Sequence, residues 1–399
     1  MKLAVRFNVR HSVLAILFLG QSAYSALACG QLFESKKAPV AHEEVKLAIG
    51  SDKLTKLARS NAPQSWAWFK SYSVNFLSKD ILRHQGMIDG DPHNGNFGPM
   101  VVNGKVKWKS LDYDDAGTGP FILDYAKFLI SIKAVDSVKK VKASDLWEHY
   151  LRGLKGKEYV NPPPLITEFL NMSAKDFRNL EVKKAGKFSV GDKLLNDGER
   201  STPIADKKTY NLIMEVFRRN LPEGMQVMDV GGREKEGGGS GSVNGEGGVL
   251  RFVALVKGAD GRNTIYELKQ DSESGIKNYQ AQSMTLQEVL DFHVLGKNSK
   301  DKSYQEVNVN IDGDKPFVLR PKPIYFYDYA NKAKTMSQFA EFEALSHYNA
   351  WYKGYMHGQQ KGGKDYLKAL QADTDAKIFD GLKDMTWEYL EYLQTFLPK

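Results

Sequence analysis

Short apolar stretches separated by turn residues occupy the second half of the chain. Residues 249–256 and 264–270 are rich in β-branched and aromatic side chains, and Asp260-Gly261 stands between them. A second pair, residues 306–311 and 315–320, surrounds Asp312-Gly-Asp. Valine and isoleucine alternate with polar residues in 306–311, which is the pattern of a strand with one buried face. These stretches predict a β-rich region.

Helical spacing of apolar residues dominates the remainder. Residues 65–82 carry aromatic side chains at nearly helical intervals, and two amphipathic helices are predicted around residues 339–355 and 382–397. Ile122 to Ile132 is apolar nearly all round, which indicates a buried helix. The fold class is therefore α+β. Its expected divisions are a leader at 1–28, a helical lobe at 29–200, a β-rich lobe at 205–328 and a return to the helical lobe at 329–399.

A predicted hairpin brings candidate metal ligands together. Asn103-Gly104 between apolar segments favours a type I′ turn, because both central residues need φ > 0. Asn96 before the hairpin and Asp112 after it should then be neighbours. Their oxygens, with phosphate oxygens and water, suit Mg²⁺. Phosphoryl transfer also needs a group that orients the attacking hydroxyl, and Asp91 in the preceding loop fits that task.

The same residues have plainer interpretations. Asp-Gly-Asp-Pro is also an ordinary turn sequence, since Asp, Gly and Pro supply turn geometry. His93 is expected to form structural hydrogen bonds within the loop. Asp124, on the buried helix, needs partners, and we expect it to brace the catalytic loop rather than to perform chemistry.

Two motifs carry a resemblance to a known family. Gly90-Asp-Pro-His-Asn-Gly-Asn-Phe-Gly98, Asp112-Tyr-Asp-Asp115 and the later Gly119-Pro120 resemble the aminoglycoside phosphotransferase branch of the protein-kinase-like superfamily. They are most similar to a bacterial family of unknown function marked by GDxHxxNFG and a DFDE-like segment, from which Tyr113 and Asp115 depart. The resemblance runs from about residue 56 to 128 and more faintly beyond. It implies a two-lobed kinase-like fold that uses Mg²⁺ and ATP or another nucleotide.

The residues before Asp91 look helical and leave no space for a β-rich nucleotide lobe. The resemblance therefore implies that this lobe follows the catalytic loop, so that the two lobes are circularly permuted. Half of residues 231–248 are glycine, and Lys269 occupies the place of the kinase lysine that meets the phosphates. The phosphate-binding candidates in the glycine run are Gly239, Gly241, Ser242 and Gly245. The run equally suits a flexible linker. Glu288, with Glu273 as second choice, is the expected helix partner of Lys269, and residues 320–323 are the expected hinge.

The amino-terminal residues resemble a secretory leader. Basic residues precede Val13–Leu19, and Ala26-Leu-Ala28 ends just before Cys29, as in a bacterial lipobox. We expect an exported protein, periplasmic or anchored to the outer membrane through lipid on Cys29, although ordinary cleavage beside an incidental cysteine has the same pattern. Without the leader's three basic residues the net charge is 8 − 3 = +5, too mild and dispersed to indicate nucleic-acid binding.

Three functions remain open from the sequence. The first is an exported kinase-like phosphotransferase acting on a hydroxyl of a small-molecule or cell-envelope acceptor. The second is a catalytically inactive envelope lipoprotein that binds a ligand or partner. ATP is expected to be scarce outside the cytoplasm, so either the protein uses another phosphorylated donor, meets ATP outside the bacterium, or has kept the fold for binding only, and the sequence does not choose among these. The third interprets Asp91-Pro-His93 as a metallophosphoesterase motif, but the eight histidines include no His-x-His pair, and His347 and His357 stand ten apart.

Overall fold

The computed structural model describes residues 52–397 apart from 61, 114, 137–140, 234–249, 272–273, 283, 297–298, 300, 312 and 326–335. Its helices are α1 Asp52–Ser60, α2 Ala62–Tyr72, α3 Lys79–Leu82, α4 Phe121–Val135, α5 Ala143–Leu154, α6 Pro164–Leu170, α7 Ala174–Phe188, α8 Lys207–Asn220, α9 Leu286–Leu290, α10 Met336–Gly358, α11 Gly363–Gln371 and α12 Lys377–Gln394. A π-helical turn, Asp291–Leu295, continues α9.

The strands form one larger sheet and three small pairs. They are β1 Gln85–Ile88, β2 Phe97–Val102, β3 Lys105–Ser110, β4 Gly117–Pro120, β5 Ser189–Val190, β6 Lys193–Leu194, β7 Gln226–Gly232, β8 Arg251–Lys257, β9 Asn263–Gln270, β10 Gln305–Asn310 and β11 Asp314–Pro321. The larger sheet is antiparallel, in the order β10-β11-β9-β8-β7. The small pairs are β1-β4, β2-β3 and β5-β6. The expected α+β class is confirmed.

One apolar core joins the helices that precede the larger sheet to those that follow it. It contains Trp66 of α2, Phe128 of α4 and Tyr150 of α5 together with Phe342 of α10 and Tyr389 of α12. All residues of α4 except Lys133 are buried, which confirms the predicted buried helix. Residues far apart in the chain therefore build one helical body around α4.

The larger sheet is covered on both faces. Helix α8 packs Ile213 and Phe217 against Phe252 and Leu268. The opposite face contacts the end of α7 through Ala185, and it continues towards the β2-β3 hairpin and α9 through a cluster that includes Met100, Leu290 and Val318. This second face is the one that meets the candidate site.

The predicted helix over residues 65–82 is wrong in its extent. Helix α2 ends at Tyr72 and a 3₁₀ turn follows at Ser73–Asn75. The short helix α3 then begins after Ser78, whose hydroxyl accepts a hydrogen bond from the Ile81 N–H and caps it. Among the described residues, no helix is both long and apolar enough to cross a bilayer.

Candidate functional site

The predicted hairpin is confirmed and it places Asn96 beside the end of β3. Asn103 and Gly104 have φ of 52° and 72°, as a type I′ turn requires. Phe97 pairs with Ser110, and the Leu111 N–H donates to the Asn96 carbonyl at 2.6 Å. Asn96 and Asp112 thus flank the open end of the hairpin, where the turn chemistry predicts them.

Lys269 of the larger sheet reaches this open end. Its Nζ lies 2.5 Å from Asp112 Oδ1, although the two residues are 157 positions apart. The lysine side chain is 2% exposed and the aspartate side chain 32%. Burial raises the pKa of Asp112, but Lys269, Arg320 and Arg251 outweigh it and hold that pKa well below its ordinary value. Asp112 is therefore ionised and forms an ion pair with Lys269 of the sheet.

Asp91 is paired with a buried lysine that the sequence reasoning missed. Lys127 Nζ of α4 lies 3.3 Å from Asp91 Oδ1 and also donates to the Ala58 carbonyl and the Ser65 hydroxyl. Burial raises the pKa of Asp91, and Lys127 opposes this only in part. The Asn96 amide donates to the Asp91 carbonyl at 2.9 Å, so loop and hairpin are directly joined. A lysine in a helix that is otherwise almost wholly apolar was the available signal for this contact.

Asp124 contacts the loop from α4, and His93 lies within the loop itself. The Gly90 N–H donates to Asp124 Oδ1 at 3.0 Å. His93 is buried, with Nε2 3.9 Å from Asp91 Oδ2. Burial, together with Arg59 and Lys127, lowers the pKa of His93 well below its ordinary value, so the imidazole is neutral. A neutral ring suits a structural part in the loop.

A buried charge network lies beneath this loop and was also missed. Lys353 of α10 donates to Asp89 and lies 3.0 Å from Asp124 Oδ2. His293, in the π-helical turn after α9, places Nδ1 2.8 Å from Asp89 Oδ1, and His357 Nε2 lies 3.0 Å from Asp124. All five side chains are at most 6% exposed. The network ties the loop to three helical elements.

Glu288 does not pair with Lys269, and that prediction is wrong. Its carboxylate accepts from the N–H and hydroxyl of Thr285 in a capping box at the start of α9, so the side chain serves its own helix. The second choice, Glu273, lies outside the described residues. So do Gly239, Gly241, Ser242, Gly245, Asp114 and Cys29.

The expected hinge is held by buried ion pairs. Arg320 Nε donates to Glu267 at 2.9 Å, and Lys322 Nζ donates to the other oxygen of the same carboxylate at 3.2 Å. Arg320 also donates to the Leu111 carbonyl, next to Asp112. Residues 320–322 are thereby fixed both to the sheet and to the hairpin end.

Asp112 and Asn96 could serve as metal ligands if phosphate oxygens supplied further ligands to the same ion. Within the described part of the chain, no group of three or more His, Cys, Asp or Glu side chains could bind a metal ion by itself. Asp112 and Asn96 supply one carboxylate and one amide, and Mg²⁺ typically takes one or two protein carboxylates and fills its shell with phosphate oxygens and water.

Comparisons of the chain with protein-family models, curated proteins and solved structures find no match.

Proposed function

We propose that the chain is an exported kinase-like phosphotransferase, which moves a phosphoryl group from a nucleotide to a hydroxyl acceptor with Mg²⁺. The finer fold that goes with this proposal is a two-lobed, circularly permuted kinase-like arrangement. The observation that carries it is the contact between Lys269 and Asp112 at 2.5 Å. A phosphate-binding lysine and a metal-binding carboxylate must lie at the same site if both act on one nucleotide.

The arrangement of the sheet supports the same function. Lys269 lies on β9, the third strand of the β7-β8-β9 meander, and kinases carry their phosphate-binding lysine on a third strand. The helical core is built from residues on both sides of the sheet in sequence, such as Phe128 and Phe342. This is the connectivity expected if the nucleotide-binding part follows the catalytic loop.

Each site residue then has a task. Asp91 orients the acceptor hydroxyl and takes its proton, which a carboxylate with a raised pKa does more readily. Asp112 and Asn96 would hold Mg²⁺, which would neutralise charge on the transferred phosphoryl. Lys269 contacts the donor phosphates. Lys127 keeps Asp91 in place, because its ammonium group is anchored to Ala58 and Ser65.

Lys269 must change partner when the donor binds. In the present arrangement its ammonium group occupies the Asp112 carboxylate that the metal would need. A donor that brings phosphate for Lys269 and Mg²⁺ for Asp112 replaces one ion pair by two. We therefore expect nucleotide and Mg²⁺ to bind each more tightly in the presence of the other.

Calorimetry and phosphate transfer with the full chain test the proposal. We expect Mg²⁺-dependent nucleotide binding, which Asp112→Asn and Lys269→Met each weaken at least tenfold. We expect Asp91→Asn to preserve binding and lower transfer to a panel of hydroxylated acceptors by about 10²–10⁴-fold. Asp365→Asn and Lys368→Met are matched controls, because that pair is 70% and 77% exposed.

Two results would separate the proposal from its alternatives. Absence of Mg²⁺-dependent binding for every nucleotide tried would refute it. Binding without transfer, equal in wild type and Asp91→Asn, would favour the catalytically inactive envelope protein. Export and lipidation are tested independently, by fractionation and by incorporation of labelled fatty acid into wild type but not into Cys29→Ser.

A further inference from the structure

Strands β1 and β4 form the base of the candidate site. They pair with each other, and residues 89–116 between them include Asp91, Asn96 and Asp112. In the described part of the chain this sheet has two strands, so each strand has one edge that pairs with no other strand. A pair of strands is marginally stable by itself. The base of the site therefore needs support at its two outer edges.

Two glutamine side chains occupy these edges. Met87 and Thr118 lie opposite each other in the ladder. The Met87 N–H donates to Gln360 Oε1 at 2.6 Å, and Gln360 Nε2 donates to the Met87 carbonyl at 2.7 Å. On the other edge, the Thr118 N–H donates to Gln282 Oε1 at 2.6 Å, and Gln282 Nε2 donates to the Thr118 carbonyl at 2.9 Å. Each side-chain amide therefore bonds to its strand as a peptide group of a further strand would. We call Gln282 and Gln360 the glutamine pair.

Glycines in the two strands leave space for both amides. A Cβ on Gly86 would lie 2.4 Å from Gln360 Oε1, and a Cβ on Gly117 would lie 2.4 Å from Gln282 Oε1. Because packed atoms that are not bonded stay farther apart than this, a larger residue at either position would displace the amide. The strands are thus shaped to receive the glutamine pair.

The glutamine pair comes from two segments that are distant in the chain. Gln360 follows the end of α10, whereas Gln282 lies between α9 and β9, the strand that carries Lys269. The segment that leads to Gln282 is also attached to the site, since the Gly275 N–H donates to Asp115 Oδ1 at 2.8 Å. Gln282 therefore connects the chain that leaves the Lys269 strand to the base of the acidic residues.

We infer that Gln282 and Gln360 are positioning residues, which hold the β1-β4 ladder and with it the loop that carries Asp91. This inference rests on the proposed function for the task of Asp91, whereas the attachment of the loop is measured without any reaction. Strand β1 ends at Ile88, three residues before Asp91, so a displacement of the strand also displaces the carboxylate. Misplacement of a reacting group by about 1 Å can lower a rate about 10²-fold.

Hydrogen exchange of the full chain, resolved to single residues by mass spectrometry, tests the attachment. We expect Gln360→Leu to accelerate exchange of the Met87 amide about tenfold, as for the loss of one hydrogen bond. Gln282→Leu should accelerate exchange of the Thr118 amide by a similar factor. These two changes report whether each glutamine protects its own strand edge.

The loop amides report whether that protection extends to the site. The Gly90 N–H donates to Asp124, and the Asn96 N–H donates to the His93 carbonyl. If the glutamine pair positions the loop, both amides should exchange faster in each leucine variant. Acceleration confined to the ladder would show that the glutamines only cap the strand edges, and it would overturn the positioning role.

Transfer kinetics separate positioning from nucleotide binding. Each leucine variant should lower kcat about 10–10²-fold and leave KM for the nucleotide nearly unchanged, because the change acts through Asp91. A rise in KM alone would contradict this. Gln360→Glu keeps the acceptor for the Met87 N–H and loses the donor to its carbonyl, so both its kcat and its exchange rates should lie between those of the wild type and Gln360→Leu.

The matched control is Gln359→Leu, because Gln359 is the exposed neighbour of Gln360, and it should change neither exchange nor kinetics. Thermal unfolding verifies that each variant is folded. Gly117→Ala displaces the Gln282 amide without altering it, so it should reproduce the effect of Gln282→Leu, and it tests the inference if that variant fails to fold.

The outcomes distinguish the glutamine pair from the phosphotransferase. Faster exchange of the loop amides in the variants would support the glutamine pair, even if the wild-type protein transferred phosphate to no acceptor. Unchanged exchange of the loop amides in folded variants would overturn it, even if Asp91→Asn abolished phosphate transfer.

Discussion

Replacement of Lys353 by methionine tests the buried charge network directly. The ammonium group lies between Asp89 and Asp124, and all three side chains are at most 6% exposed. Methionine retains much of the volume and removes the charge. After the substitution, Asp89 keeps only His293 and Asp124 keeps His357 and the Gly90 N–H from the described contacts.

The expected loss of stability follows from the uncompensated charge. Removing one partner of a buried ion pair typically costs about 3–5 kcal/mol, because the remaining charge stays buried. The loss for Lys353→Met should fall in this range at pH 7, since each carboxylate retains at least one partner but the central cation is gone. The double variant Lys353→Met/Asp89→Asn should be less destabilised than the single one, because one of the two stranded charges is also removed.

The effect should depend on pH with a defined sign. In the wild type, burial raises the pKa values of Asp89 and Asp124, yet Lys353 and the histidines outweigh it and lower both below 3.8. The stability that these carboxylates contribute is present above that value and is lost as the pH falls through the lowered folded pKa values. Without Lys353 the carboxylates protonate more readily, so the difference between wild type and variant should shrink as the pH falls from 7 towards 4.

Urea unfolding followed by circular dichroism, at several pH values, measures both quantities. Lys368→Met is the control, because that lysine is 77% exposed, and its stability should change by at most about 0.5 kcal/mol. A loss of less than about 1 kcal/mol in Lys353→Met, or a loss that stays constant down to pH 4, would refute the reasoning about buried charge.

Three further predictions follow from other parts of the structure. The rate of phosphate transfer should rise with pH through an apparent pKa above 3.8, because burial raises the pKa of Asp91, and a profile flat from pH 4 to 8 would contradict its role as base. Burial raises the pKa of Glu181 from 4.5 to about 7, so the free energy of unfolding of the wild type should fall as the pH rises through that interval. Glu181→Gln should abolish this fall and be more stable than the wild type at pH 8 by up to about 3 kcal/mol. Stability curves that run parallel for the two proteins would exclude this effect of Glu181. A Cβ on Gly354 would overlap the Tyr150 carbonyl of the adjacent helix, so Gly354→Ala should lower the free energy of unfolding in urea by about 1–3 kcal/mol. A Cβ on Gly186 would meet no atom within 4 Å, and the residue lies inside a helix, so Gly186→Ala should stabilise the protein by about 0.5–1 kcal/mol.

The site could be predicted where local chemistry determines the geometry. Asn103-Gly104 requires a turn with two positive φ values, and that turn alone places Asn96 beside the end of β3. The approach of Lys269 to Asp112 required the resemblance to kinases as well, because nothing in either segment specifies a partner 157 residues away.

The missed contacts depend on tertiary packing. Lys353 and His293 reach Asp89 only after distant helices have packed, and Lys353 stands 264 positions from Asp89 in the chain. Strand β7 ends in two glycines and merges with the glycine-rich run, so its pattern resembles a loop. Glu288 was assigned to Lys269 although Thr285 stands three residues before it, which is the signature of a capping box.

Synthesis proceeds from the amino terminus, and the helix that supplies Lys353 and His357 is made long after the loop between β1 and β2. Until then Asp89 and Asp124 lack the lysine that compensates their burial, so the loop between β1 and β2 is not held in its final position. An emerging polypeptide that stops short of residue 336 would thus carry residues 90–98 without the contacts from α10 that hold this loop. The loop would reach its final arrangement only after α10 has been made and has packed against it.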